Sequence, residues 1–61
     1  MRPGDRGWVR HPEDGTVVEV VFIRWCADGL LACRVIGRDR ETVYLLPSET
    51  LAATAGEVAH G

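Results

Sequence analysis

The densest apolar run extends from Thr16 to Ala27 and reads Thr-Val-Val-Glu-Val-Val-Phe-Ile-Arg-Trp-Cys-Ala. It is rich in β-branched and aromatic residues and contains no Gly or Pro, which predicts a long strand. A helix is disfavoured because the run is almost solidly apolar, without the 3.6-residue period, and stops at Asp28-Gly29. An Asp-Gly pair between apolar runs marks a two-residue hairpin, since a type I′ turn needs positive φ at both central positions. The returning strand is then Leu30 to Ile36. Upstream, a brief strand at 7–10 leads into His11-Pro12-Glu13-Asp14-Gly15, whose Pro, acids and Gly read as a turn. Downstream, 37–40 reads as a loop and 41–46 as another strand. Pro47-Ser48-Glu49-Thr50-Leu51 reads as one helical turn, with Pro47 ending the strand and Ser48 capping. A short last strand around 53–55 or a frayed end follows. Residues 1–58 form one domain, and 59–61 are expected as a disordered tail.

The turn also sets a register. With Asp28 and Gly29 central, Ala27 faces Leu30, Cys26 faces Leu31, Trp25 faces Ala32 and Arg24 faces Cys33. Side chains alternate along strands and opposed residues share a face. Val18, Val20, Phe22, Cys26, Leu31, Cys33 and Val35 therefore share the core face, interrupted by Arg24. The reverse face carries Val17, Glu19, Val21, Ile23, Trp25, Leu30, Ala32, Arg34 and Ile36, too apolar for water alone, because a half-solvated antiparallel sheet alternates cleanly. Something is expected to cover it. A bulge between Phe22 and Arg24 is the alternative: it would switch the side facing inward and make Trp25 part of the core. Four or five short strands with one helical turn and no amphipathic helix predict an all-β fold. Its expected form is a small, strongly curved antiparallel barrel of about five strands.

Composition adjusts this picture modestly. The chain has 61 residues, 46% hydrophobic and 26% charged, a globular rather than disordered profile. At this size one core supplies only about 3–5 kcal/mol, so a partner or a second copy is expected. Net charge is −2 and all seven basic residues are arginine, which disfavours a general nucleic-acid binder. A local patch of Arg34, Arg38 and Arg40, with Arg24 nearby, is suited to phosphate, a carboxylate-rich partner or RNA backbone. The competing reading is a set of solvated charges balanced by Asp39 and Glu41. The opening Met1-Arg2-Pro3-Gly4-Asp5 lacks an apolar leader and no run approaches a membrane span, so a soluble cytoplasmic protein with no membrane contact is expected.

Candidate chemistry is sparse. Cys26, Cys33, His11 and His60 are the soft ligands, but six residues separate the cysteines, unlike the close pairs of structural zinc sites. Neither a metal site nor a disulfide is expected in a reducing compartment, and both thiols are read as buried. No nucleophile lies near a base in this reading, so no catalytic residue and no cofactor is assigned. The large amphipathic residues are Trp8, Trp25 and Tyr44. Trp25, opposite small Ala32 and beside Val21 and Ile23, is an interface candidate, while Trp8 and Tyr44 fit either core packing or partner contact.

The order of these elements resembles the SH3-like small barrels of bacteria. Pro3-Gly4-Asp5-Arg6-Gly7-Trp8-Val9 looks like their first strand and Asp14-Gly15-Thr16-Val17-Val18 like the entry to their second. Leu45-Leu46-Pro47-Ser48-Glu49-Thr50-Leu51 looks like their strand, helical turn and strand ending. Members of this group bind RNA, ribosomes, redox partners or peptides, so the resemblance implies a fold rather than a ligand. The outline is also similar to the plasmid-borne type II dihydrofolate reductases, tetramers of SH3-like chains around one pore. Gly4-Asp5-Arg6, Trp25-Cys26, Val43-Tyr44-Leu45-Leu46-Pro47 and Leu51 fall in similar order. That family reads Val-Gln-Ile-Tyr-Pro at its pore strand; Tyr44, Leu45 and Leu46 stand here where its Gln, Ile and Tyr meet folate and nicotinamide, so the ligand-binding amide is missing. The expected function is a non-enzymatic SH3-like interaction module. It would serve as an accessory or regulatory subunit, self-associating through Val21, Ile23 and Trp25 and binding a protein partner. The alternatives are a nucleic-acid-binding barrel using Arg34, Arg38 and Arg40 with Tyr44 or Trp8, and a reductase-like tetramer with Tyr44 and Leu45 facing a pore.

Overall fold

The computed structural model describes residues 2–60. Four strands, β1 (Arg6–Arg10), β2 (Val17–Trp25), β3 (Leu30–Val35) and β4 (Tyr44–Pro47), form one antiparallel sheet in chain order. A short 3-10 turn, Ser48–Thr50, follows β4, and a helix, α1 (Ala55–His60), ends the described chain.

The hairpin between β2 and β3 contains the expected turn but not the expected register. Asp28 (φ 63) and Gly29 (φ 74) are both left-handed, and the Leu30 amide donates to the Ala27 carbonyl, as a type I′ turn requires. The Leu30 carbonyl, however, accepts from Cys26 N at 2.8 Å, which leaves Ala27 as an extra residue. Pairing therefore slips by one, and Trp25 lies opposite Leu31, not Ala32, while Arg24 lies opposite Ala32, not Cys33. A second irregularity between Phe22 and Arg24 sets Phe22 opposite Cys33. This is the bulge weighed from sequence, with Ile23 the unpaired residue. It carries Trp25 to the side of Leu31 and Leu46. There its ring meets Phe22 edge-on at 5.6 Å, yet Trp25 remains 54% exposed.

The core on that side consists of Val9, Val20, Phe22, Leu31, Cys33, Val35 and Leu46, with Val18, Tyr44 and Leu51 partly buried against it. Gly7 permits the approach of Leu51, because a Cβ at Gly7 would lie 2.9 Å from Leu51 Cγ. Next to it Trp8 and Ala52 exchange two backbone bonds of 2.8 and 2.9 Å, a single bridge joining β1 to the segment that follows β4.

The segments after β3 also depart from the expected boundaries. No strand forms at 53–55; the chain turns into α1 because Thr54 Oγ1 accepts from Glu57 N while Glu57 Oε2 accepts from Ala53 N, each at 3.3 Å. This reciprocal arrangement closely resembles a capping box. The fourth expected strand starts at Tyr44 rather than Glu41, since Asp39 accepts from Glu41 N and Thr42 Oγ1, both at 2.8 Å, and holds that segment as a turn. Pro47 ends β4 from within it, and Ser48 makes no capping bond; the Thr50 hydroxyl instead donates to the Pro47 carbonyl at 2.7 Å. Of the expected tail, α1 takes in residues 59–60, and Gly61 lies outside the described residues.

Candidate functional site

The sheet presents an outer face away from the core. Cross-strand pairing sets Arg6, Val21 and Arg34 in one row and Arg24, Ala32 and Leu45 in another, with Trp8 beside Glu19. The Ile36 amide donates to the Glu19 carbonyl at 3.0 Å and continues the β2–β3 pairing past the strand end. Large apolar side chains remain in water around this face: Leu45 is 56% exposed, Val43 50% and Ile36 39%. Ala32 between Arg24 and Leu45 has no exposed surface.

Charge is segregated. The outward positions of the four strands carry Arg6, Arg10, Arg24 and Arg34 against a single acid, Glu19. The other eight of the nine acids stand before β1, in turns and loops, or in α1. Arg10 is committed locally, donating to the carbonyls of Gly15 (2.9 Å) and Val58 (3.4 Å).

The three arginines nominated from sequence come together. Arg34 from β3 and Arg38 and Arg40 from the following loop line one open cavity of about 530 Å³ together with Val21, Val35, Ile36 and Gly37. Arg38 donates to Asp14 Oδ2 at 3.0 Å. Arg34 and Arg40 make no ion pair among the described residues. Asp39, expected to balance them, spends its carboxylate on Glu41 N and Thr42 Oγ1 instead, which lowers its pKa.

Beside this cavity lies a cluster that sequence reasoning missed. His11 is only 4% exposed. Its Nδ1 accepts from Glu13 N (3.1 Å) and Asp14 N (3.5 Å), and its ring meets Tyr44 edge-on at 5.1 Å. An acceptor at Nδ1 assigns the ring proton to Nε2. Asp14 accepts from Thr16 Oγ1 (2.6 Å), Thr16 N (2.9 Å) and Arg38. The Thr16 hydroxyl, then the Thr16 amide, then Arg38 hold its carboxyl well below the usual carboxylate range. With Thr42 and Asp39 these groups surround a cavity of about 220 Å³. The cluster ties the β1–β2 turn to the β3–β4 loop and fixes the position of Arg38. Its local signal was the Asp14-Gly15-Thr16 spacing, which suits an aspartate accepting from the residue two places on.

The remaining candidates separate. Val21 and Ile23 are half-buried on β2, while Trp25 is carried to the opposite side by the bulge, so the expected continuous Val21, Ile23 and Trp25 surface is divided. Trp8 is half-buried beside the Ala52 bridge, and Tyr44 is half-buried against His11 and the core. Of the three positions matched to the reductase pore strand, Tyr44 and Leu46 point to the core side and Leu45 points out. Cys33 is buried, and burial pushes its thiol pKa up; Cys26 is half-buried, and neither is in a disulfide. Among the described residues, no group of three or more His, Cys, Asp or Glu is placed to hold a metal ion, and no helix is long and apolar enough to cross a membrane. Comparison with protein-family models, with curated proteins and with solved structures finds no match to this chain.

Proposed function

We propose that this chain is a non-enzymatic SH3-like interaction module, an accessory or regulatory subunit that self-associates and binds a protein partner through the outer face of its sheet. The observation carrying this reading is the trio of exposed aliphatic side chains, Ile36, Val43 and Leu45, around a sheet face. Fully burying one aliphatic side chain is worth about 1.5–3 kcal/mol, so covering the exposed half of three amounts to about 2–4 kcal/mol. That rivals what the core of so small a chain supplies. The SH3-like assignment is supported by the four-strand antiparallel order, the 3-10 turn after β4 and the Trp8–Ala52 bridge. The outer-face surface replaces the Val21, Ile23 and Trp25 patch expected from sequence, because Trp25 stands on the other side. Sedimentation of the purified chain from micromolar to sub-millimolar concentration tests it. The expected result is a concentration-dependent dimer or larger species that Leu45→Glu abolishes and Trp25→Glu leaves in place. A monomer at every concentration, or an oligomer indifferent to Leu45→Glu, rejects self-association through this face.

A further inference from the structure

The cavity lined by Arg34, Arg38 and Arg40 has chemistry that the apolar surface beside it does not account for. Two of its three guanidinium groups lack a carboxylate partner among the described residues, and the third is held in place by Asp14. Asp14 is itself fixed by two bonds from Thr16, so Arg38 is oriented before any ligand arrives. A guanidinium presents a planar fork of donors that matches a carboxylate in a bidentate pair. The same cavity is lined by the aliphatic side chains of Val21, Val35 and Ile36. Across the sheet the row Arg6, Val21, Arg34 brackets Val21 with positive charge at two strand spacings, about 10 Å.

We propose that this cavity takes an acidic segment of a partner protein, with carboxylates paired to Arg34 and Arg40 and an aliphatic side chain seated on Val21 and Ile36. The inference rests on the interaction-module reading and names the chemistry of the partner. Charge complementarity favours a short acidic segment over a nucleic acid. A long polyanion leaving the cavity would run along a surface whose loops carry Asp14, Asp39 and Glu41 on a chain of net charge −2. The large exposed side chains beside the cavity are aliphatic rather than aromatic, which suits a protein side chain better than stacked bases.

The probe is a fluorescein-labelled peptide of repeated Glu-Leu-Glu units, followed by anisotropy at a protein concentration where the chain sediments as a monomer. The same peptide with Gln for Glu and an oligothymidylate of equal charge are the comparisons. The expected result is saturable binding of the Glu peptide that the Gln peptide lacks. Arg34→Gln and Arg40→Gln should each weaken it by about tenfold, and the exposed Arg2→Gln by far less. Arg40 lies in an exposed loop, so its replacement reports on the cavity even where Arg34→Gln disturbs the sheet; circular dichroism checks each variant. Tighter binding of the oligothymidylate, equal losses from Arg2→Gln and Arg40→Gln, or no binding of the Glu peptide overturns the proposal. A chain that self-associates through Leu45 yet ignores the Glu peptide retains the function proposed above and loses this inference. One that does neither loses both.

Discussion

Replacing His11 with alanine tests whether the buried imidazole carries the β1–β2 turn. The ring is almost wholly buried, accepts two turn amides at Nδ1 and packs edge-on against Tyr44. Truncation removes one hydrogen bond of good length and one at the limit, together about 1–2 kcal/mol, because the freed amides of Glu13 and Asp14 sit in an exposed turn and rehydrate. Loss of the aromatic contact removes about 0.5–1.5 kcal/mol more, and the vacated space adds a cavity cost of similar size. The expected loss is about 2–5 kcal/mol, against a total stability of about 3–5 kcal/mol for a chain of this size. Urea unfolding followed by tryptophan fluorescence should therefore show a midpoint near zero denaturant. Amide exchange at Glu13 and Asp14, which the two bonds to His11 are expected to slow in the native chain, should become fast in the variant. A loss below about 1 kcal/mol, or unchanged exchange at those two amides, refutes the clamp.

Two further outcomes follow from the same geometry. Folding lowers the pKa of Asp14 and of Asp39, so each favours the native state when ionised; that contribution is complete above the ordinary carboxylate range and is lost as pH falls through the lowered folded values. Stability measured by urea should thus decline on acidification, and Asp14→Asn should flatten the decline; an identical pH profile in the variant contradicts the assignment. Cys33 is buried with its thiol held protonated while Cys26 is partly accessible, so a thiol reagent should label Cys26 in the folded chain and both in denaturant. Mass spectrometry after digestion locates the label, and prompt native labelling of Cys33 contradicts the packing.

Much of the sheet was readable in the residues because strands and turns are written locally. Asp28-Gly29 does adopt two left-handed conformations, and five of the core positions assigned by alternation, Val20, Phe22, Leu31, Cys33 and Val35, are buried. The register was not decided by the residues: the irregularity at Ile23 could be weighed only as an alternative, and the extra residue at Ala27 leaves no characteristic side chain. The side on which Trp25 stands went with it. Asp39 and Thr54 acted through side-chain bonds to nearby backbone, delaying β4 and starting α1, and Thr54-Ala55-Gly56-Glu57 spells the capping pattern that the alanine-rich segment obscured. His11 reads from sequence as part of a turn because its neighbours are Pro, acids and Gly; its burial depends on Tyr44, distant in sequence. The arginine group was legible because three of its members fall within one short stretch around the β3 end.

The claim that the outer face is the contact surface is tested most directly by mapping amide chemical shifts of the labelled chain as its concentration rises. The account predicts that the shifts which move belong to Val21, Arg34, Ile36 and Leu45 and that Trp25 and α1 stay still. Movement centred on Trp25 or α1, or none at any concentration, contradicts it.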